Sequence, residues 1–193
     1  MSHGRAAAEA QDASAADALS SWLMPISRTL DTARLGFELK ICPPDGLTMQ
    51  LPRFARPLVF TNGCFDILHR GHVTYLAQAR ASGASLLVAL NTDASVRRLG
   101  KPADRPVNSL EDRLAVVAAL EAVDVVTWFD DDTPLDLILL TRPDVLVKGG
   151  DWPPERIVGG AEVLSWGGQV HSIPFLFDRS TSETLARIRG ARS

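Results

Sequence analysis

Residues 61–76, TNGCFDILHRGHVTYL, hold His69 and His72, two of the chain's four histidines, on either side of Gly71. On a helix, residues three apart share a face. Both imidazoles then point into one crevice, and the glycine keeps its approach open. Three chemistries fit such a pair. With Cys64, the rings supply three zinc ligands, but no fourth ligand follows nearby and Cys64 has no partner cysteine there. As polar residues at a helix start, they could cap it and do nothing else. As paired donors, they could hold the phosphates of a nucleotide.

Similar residues collect at other points. Asn62, Gly63, Cys64, Phe65 and Asp66 follow one apolar run; Asn91, Thr92 and Asp93 follow the next, with Arg97, Arg98 and Lys101 beyond. Lys148, Gly149, Gly150 and Asp151 follow another, and Asp178, Arg179, Ser180, Thr181 and Ser182 precede the last helical stretch. Donors, glycines and helix starts are what an anion site needs. The common phosphate motifs are absent: there is no GxxxxGK[ST], and no GxGxxG after the first strand.

The elements that must position these residues are legible from Pro57 onward. Apolar runs at 57–62, 85–91, 124–129, 144–150 and 169–175 read as buried strands. Helical spacing covers 69–81, 108–121, 133–141, 154–166 and 180–189. Asn108 or Ser109 caps its helix with Glu111 or Asp112 three residues on, and Pro134 takes the first helical position of the next. Such alternation predicts an α/β, Rossmann-like parallel five-stranded sheet with helices on both faces. Ligands in such sheets bind beyond the carboxyl ends of the strands, where the residues above lie. Residues 1–20 are Ala/Ser-rich and are expected to form a disordered tail. Residues 21–55 form an N-terminal extension, with turn chemistry at CPPDG (42–46) and a further helical turn in 47–56. Residues 56–193 form the main domain.

The 193 residues carry a net charge of −3, with 46% hydrophobic and 22% charged residues. That composition gives no basic footprint for a nucleic-acid polymer. The two cysteines are expected to stay reduced. No signal-peptide core and no apolar run of the ~20 residues a membrane span needs is present. A cytoplasmic protein that makes no membrane contact is expected.

GCFDILHRGH resembles the HxGH signature of the nucleotidyltransferase superfamily, which includes cytidylyltransferases and pantetheine-phosphate adenylyltransferases. FTNGCFDILHRGHVTYLAQAR, NTDASVRRLG, RPVN with EDR, RPDVLVKGGDW and DRSTS occur in that order. Together they make residues 56–190 similar to the ADP-heptose synthase family of bacterial lipopolysaccharide core synthesis. The resemblance implies transfer of AMP from ATP to D-glycero-D-manno-heptose 1-phosphate, giving ADP-heptose and pyrophosphate, with magnesium (Mg2+) as cofactor. It implies that His69 and His72 hold the phosphates and stabilise the transition state, with Lys101, or Arg98, reaching in from a loop. Thr61, Asn62, Gly63, Cys64, Phe65, Gly71, Arg113, Ser180, Thr181 and Ser182 would bind the nucleotide. Asp66, Asn91, Asp93, Lys148, Asp151 and Trp152 would face the acceptor, with Asp66 and Asp93 taking hydroxyls or magnesium. No protein metal site is assigned, and Asp130, Asp131 and Asp132 are expected to complement a helix N-terminus. Members are often fused to a sugar kinase; these 193 residues leave no room for one, so a separate kinase is expected. A homodimer is expected from the family. Two alternatives stay open: a cytidylyltransferase for a small alcohol phosphate, and a nucleotide-binding module without turnover.

Overall fold

Five apolar runs become one parallel sheet: β1 (Leu58–Gly63), β2 (Ser85–Asn91), β3 (Val125–Phe129), β4 (Val145–Gly149) and β5 (Gln169–Ile173). The computed structural model describes residues 35–100, 102, 104–150, 152–177 and 181–190. The strand order is β3-β2-β1-β4-β5. Every residue of β2 is buried, as is β1 through Thr61. Central parallel strands covered on both faces require that. Chain order reverses between β1 and β4, where Val59 pairs with Val145 and Phe60 with Leu146. That switch point is where such sheets open a crevice.

Alternate side chains of each strand feed two cores. On one face Val59, Leu86, Val88 and Val126 pack with Tyr75, Leu76 and Ala79 of α2 (Arg70–Arg80) and Leu114, Val117 and Ala118 of α4 (Leu110–Ala118). On the other, Leu58, Phe60, Leu87 and Val125 pack with Leu137 and Ile138 of α5 (Leu135–Thr141) and Val163 of α6 (Gly160–Ser165). Each such leucine, valine or phenylalanine contributes about 1.5–3 kcal/mol on full burial. The second core also takes Cys42 and Leu47, the latter in the single turn α1 (Leu47–Gln50). The Cys42 N–H donates to the Val126 carbonyl at 2.8 Å, and Ile41 bridges Val126. The segment before Pro57 thereby covers the open edge of β3.

Three elements differ from the sequence expectation. The 154–166 helix is broken into a 3-10 turn, Pro154–Arg156, and α6. Pro153 and Pro154 favour a tight turn, and Gly159 takes φ +81° against Ile138, where a side chain would clash. Pro134 caps α5 and is not its first residue. A short helix, α3 (Asp93–Arg98), follows β2; the Thr92 hydroxyl accepts the Ser95 N–H at 3.1 Å and starts it. The last helix, α7, spans Thr181–Gly190. Residues 1–20, expected as a tail, lie outside the described residues.

Candidate active site

The turn that leaves β1 is folded tightly onto itself. Phe65 has φ +45°, a left-handed conformation unusual for a large residue. A Cβ on Gly63 would stand 2.9 Å from the Phe65 ring, so only glycine lets the ring fold back there. The Phe65 ring then meets the edge of His72 at 5.3 Å between centroids. Asp66, next in the turn, is buried. It accepts N–H groups from Val107 at 2.8 Å and Asn108 at 2.9 Å, and pairs with Arg105. Burial alone would push the Asp66 carboxyl up, but those two N–H groups and Arg105 outweigh it and hold it below the ordinary value.

The histidines stand at the start of α2. His69 is the N-cap residue, in extended backbone. Its ring stacks on that of His72, with centroids 3.8 Å apart and planes 22° from parallel. A Cβ on Gly71 would lie 3.0 Å from the His69 ring, so Gly71 admits the stack. Burial pushes the His69 imidazole below the ordinary histidine value, which favours a neutral ring. Its Nδ1 is buried without a hydrogen-bond partner. A proton is better placed on Nε2, which is then the donor. The helix start adds N–H groups with no acceptor inside the helix, and the positive end of its dipole.

Across the switch point, Lys148 at the end of β4 places Nζ 3.2 Å from Asn62 Oδ1. Two cavities meet at this pair. The smaller, about 170 Å³, is lined by His72, Phe65, Tyr75, Gly149 and Phe175. The larger, about 380 Å³, runs over the ends of β2 and β3 and includes Asn91, Thr133, Trp152 and Arg156. Asn62, Gly63, Cys64 and Lys148 line both. A further cavity, about 460 Å³, lies away from the strand ends, between Val73, Arg80 and Glu121. It holds none of the chemistry described here.

The structure therefore gathers His72, Asn62, Gly63, Cys64, Phe65, Lys148, Asn91 and Trp152 around one crevice, with His69 and Gly71 directly behind His72. Thr181 stands at the start of α7 with its hydroxyl 3.4 Å from the Ile67 carbonyl, and Ser182 beside it is exposed. Lys101, Asp151 and Ser180 lie outside the described residues.

Other assignments change. The Thr61 hydroxyl is buried and shares a 2.5 Å hydrogen bond with the Tyr75 hydroxyl. Asp66 has both oxygens bonded within the protein, so in this structure it positions the turn. Arg113 is neither solvated nor open to a phosphate. It is 1% exposed and donates to the carbonyls of Cys64 at 2.7 Å and Asn108 at 3.2 Å, and to Asp93 at 2.7 Å. Asp93 is thus a partner of Arg113. Arg98 donates to Asp132 at 2.9 Å, and Thr92 to Asp130. The aspartate run serves both ends of α3, Asp130 at its start through Thr92 and Asp132 at its end through Arg98. Tyr75, Phe175, Arg105 and Arg156 had no place in the sequence reading. Tyr75 had a signal: it is the chain's one tyrosine, three residues after His72.

A model of the cytidylyltransferase-like family matches residues 60–163, more than half of the chain. This chain belongs to that family. Within it, a D-beta-D-heptose 1-phosphate adenylyltransferase of Bordetella bronchiseptica is 60% identical over 137 residues, 71% of this chain and 85% of that one. The bifunctional protein HldE of Hahella chejuensis is 56% identical over 132 residues, 68% of this chain but only 28% of its own length. Among solved structures, a lipopolysaccharide core biosynthesis protein from Thermoplasma volcanium aligns with TM-score 0.50 and 26% identity, over 61% of this chain and 94% of that one. Pantothenate synthetase from Thermus thermophilus shares the fold at TM-score 0.51 and 17% identity, over 70% of this chain and 61% of its own. No helix among the described residues is long and apolar enough to cross a membrane.

Proposed function

We propose that the chain is an adenylyltransferase that moves AMP from ATP to a heptose 1-phosphate, giving ADP-heptose and pyrophosphate for lipopolysaccharide core synthesis. The observation that carries this reading is the stacked His69–His72 pair at the start of α2, facing Lys148 across the switch point. The name and 60% identity of the Bordetella relative support the heptose acceptor.

An oxygen of the acceptor's phosphate attacks the α-phosphorus of ATP. The new O–P bond forms as the bond to the bridging oxygen of pyrophosphate breaks. A phosphate monoester has its second pKa near ~6, so the nucleophile is ionised at neutral pH and needs no general base. Two anions must meet, and charge grows on the phosphoryl oxygens. Imidazole N–H groups, the Lys148 ammonium and the helix start are donors aimed at that charge, already in place before the reaction. This explains a site with no nucleophile–base pair. Magnesium is expected to arrive on the triphosphate. Among the described residues no group of three or more His, Cys, Asp or Glu side chains gathers to hold a metal, and the donors of the crevice suit phosphates. Bound there, the ion neutralises charge on the phosphoryl oxygens. A separate sugar kinase would supply the acceptor.

The test is pyrophosphate release by purified protein with magnesium, ATP or CTP, and either anomer of D-glycero-D-manno-heptose 1-phosphate. His72→Ala runs alongside. Release that needs ATP and heptose phosphate, and is lost in the variant, supports the reading. Release only with CTP and another phosphate keeps nucleotidyl transfer and discards the heptose. Tight ATP binding with no release from any pair overturns it in favour of a binding module.

A further inference from the structure

The larger cavity contains a cation that the mechanism above does not use. Arg156 closes the 3-10 turn Pro154–Arg156 and lines the cleft opposite the exit of β1. Its guanidinium forms no hydrogen bond or ion pair with any described residue. Arg156 is exposed at the rim, and described residues on either side of it are tied down. The Gly150 N–H donates to the Ile173 carbonyl at 2.9 Å. The Trp152 N–H donates to the Ser172 hydroxyl at 3.0 Å, which donates in turn to the Gly150 carbonyl at 2.6 Å. Pro153 and Pro154 stiffen the next step, and Ile157 is buried in the core directly after Arg156. The turn thus holds the Arg156 backbone at the rim of the cleft.

The lining of that cleft has a definite chemistry. Leu99, Pro134, Trp152 and Val158 give apolar walls; Asn62, Asn91 and Thr133 give groups that suit hydroxyls. The carboxylate of Asp132 is already paired with Arg98. Lys148, bonded to Asn62, and Arg156 place cations at two points on the wall. Apolar faces, amide and hydroxyl groups and two cations describe a site for a phosphorylated polyol. The two cations differ in one respect. Lys148 lines both cavities, whereas Arg156 lines only the larger.

We propose that the larger cleft is the acceptor subsite and that Arg156 binds the acceptor's phosphate, so that it selects a phosphorylated acceptor without touching the nucleotide. A guanidinium fork matches two oxygens of a phosphate, which leaves a third to attack while Lys148 bridges to the α-phosphate. The inference rests on the adenylyltransferase reading for its acceptor, but its binding arm does not need turnover.

The experiment compares wild type, Arg156→Ala and Arg156→Lys. Steady-state kinetics varies heptose 1-phosphate at saturating ATP, and then the reverse. Calorimetry measures heptose 1-phosphate and inorganic phosphate binding to each protein directly. The expected result is a rise of roughly ten- to a hundredfold in acceptor KM and Kd for Arg156→Ala. Arg156→Lys should fall in between, and KM for ATP should move less than twofold. Inorganic phosphate should compete with the acceptor in wild type and more weakly in Arg156→Ala. An unchanged acceptor Kd, or a parallel loss of ATP affinity, overturns the assignment. If wild type turns nothing over but binds heptose 1-phosphate through Arg156, the catalytic reading fails and the subsite stands. If wild type neither turns over nor binds any phosphate, both fall.

Discussion

Asp66 accepts the backbone N–H of Asn108 at 2.9 Å across 42 residues of sequence. The same carboxylate takes the Val107 N–H and pairs with the buried Arg105. One side chain thus bolts the turn leaving β1 to the segment that opens α4. The site's geometry depends on that bolt, which is made within the protein.

Replacing Asp66 with Asn should therefore destabilise the fold first. It leaves Arg105, 5% exposed, without its counter-charge. Breaking one side of a buried pair costs roughly 3–5 kcal/mol. The pH dependence has a definite sign. The folded carboxyl is held below its ordinary value. Its contribution is present above the unfolded value near ~3.9 and is lost as pH falls through the lowered folded one. Urea midpoints should show a constant gap between wild type and Asp66→Asn from about pH 5 to 8, closing only in stronger acid. A gap that closes near neutrality would remove Asp66 from this role.

The histidine pair should act as hydrogen-bond donors, His69 as a neutral one. Loss of one pre-aimed donor typically costs about 10²–10³ in rate. His72→Ala should show a loss of that size in single-turnover pyrophosphate release, with a smaller loss for His69→Ala. Because burial holds His69 below the ordinary histidine value, its ring is neutral at pH 7 and above. The rate should rise as the acceptor phosphate ionises near ~6 and then stay flat to about pH 8.5. A fall in rate between pH 6 and 7.5 would mean that an imidazolium is required.

Gly71→Ala separates activity from stability. Alanine gains up to about 1 kcal/mol in helix propensity over glycine. Its Cβ, however, would stand 3.0 Å from the His69 ring, which must shift. Misplacement of a positioned group by about 1 Å can cost ~10² in rate. The expected outcome is a Tm within a few degrees of wild type and kcat down about ten- to a hundredfold. Unchanged kcat would show that the stack is not needed.

The sheet was readable because its central strands are apolar on both faces, whereas the edge strand β5, QVHSI, is partly exposed. Val59, Leu87 and Val145 look buried from any neighbour's standpoint. The crevice was readable for the same reason: Asn62, Lys148 and the histidines are polar residues directly after apolar runs. Helix α3 was harder. Its six residues hold little periodicity, and its one signal was the Thr92 cap. The buried charges were hardest. Arg113 has Asp93 and Cys64 as partners, 20 and 49 residues away, and no local pattern encodes such a pairing. An arginine near a phosphate motif was read as a phosphate ligand because its type and position allow that. Its burial and its acceptors give it a structural role instead. Arg156 escaped notice because a loop arginine carries no pattern until the loop is seen to be fixed.

Arg113 offers the sharpest test between those two roles. Its nitrogens donate to the Cys64 carbonyl, the Asp93 carboxylate and the Asn108 carbonyl, tying the β1 turn to the starts of α3 and α4. Arg113→Met removes all three donors from a site that is 1% exposed. The cost should be roughly 3–5 kcal/mol, and at about 2–4 °C per kcal/mol for a chain of this size the loss in Tm is large. Arg113→Lys keeps the charge, but a single ammonium cannot serve three separated acceptors, so it should fall between. In the folded Arg113→Lys protein the KM for ATP should change less than threefold, because the guanidinium holds the turn and not the triphosphate. If Tm instead stays at the wild-type value while ATP binds about tenfold more weakly, the guanidinium reaches phosphate during turnover. The buried network would then have to open for ATP.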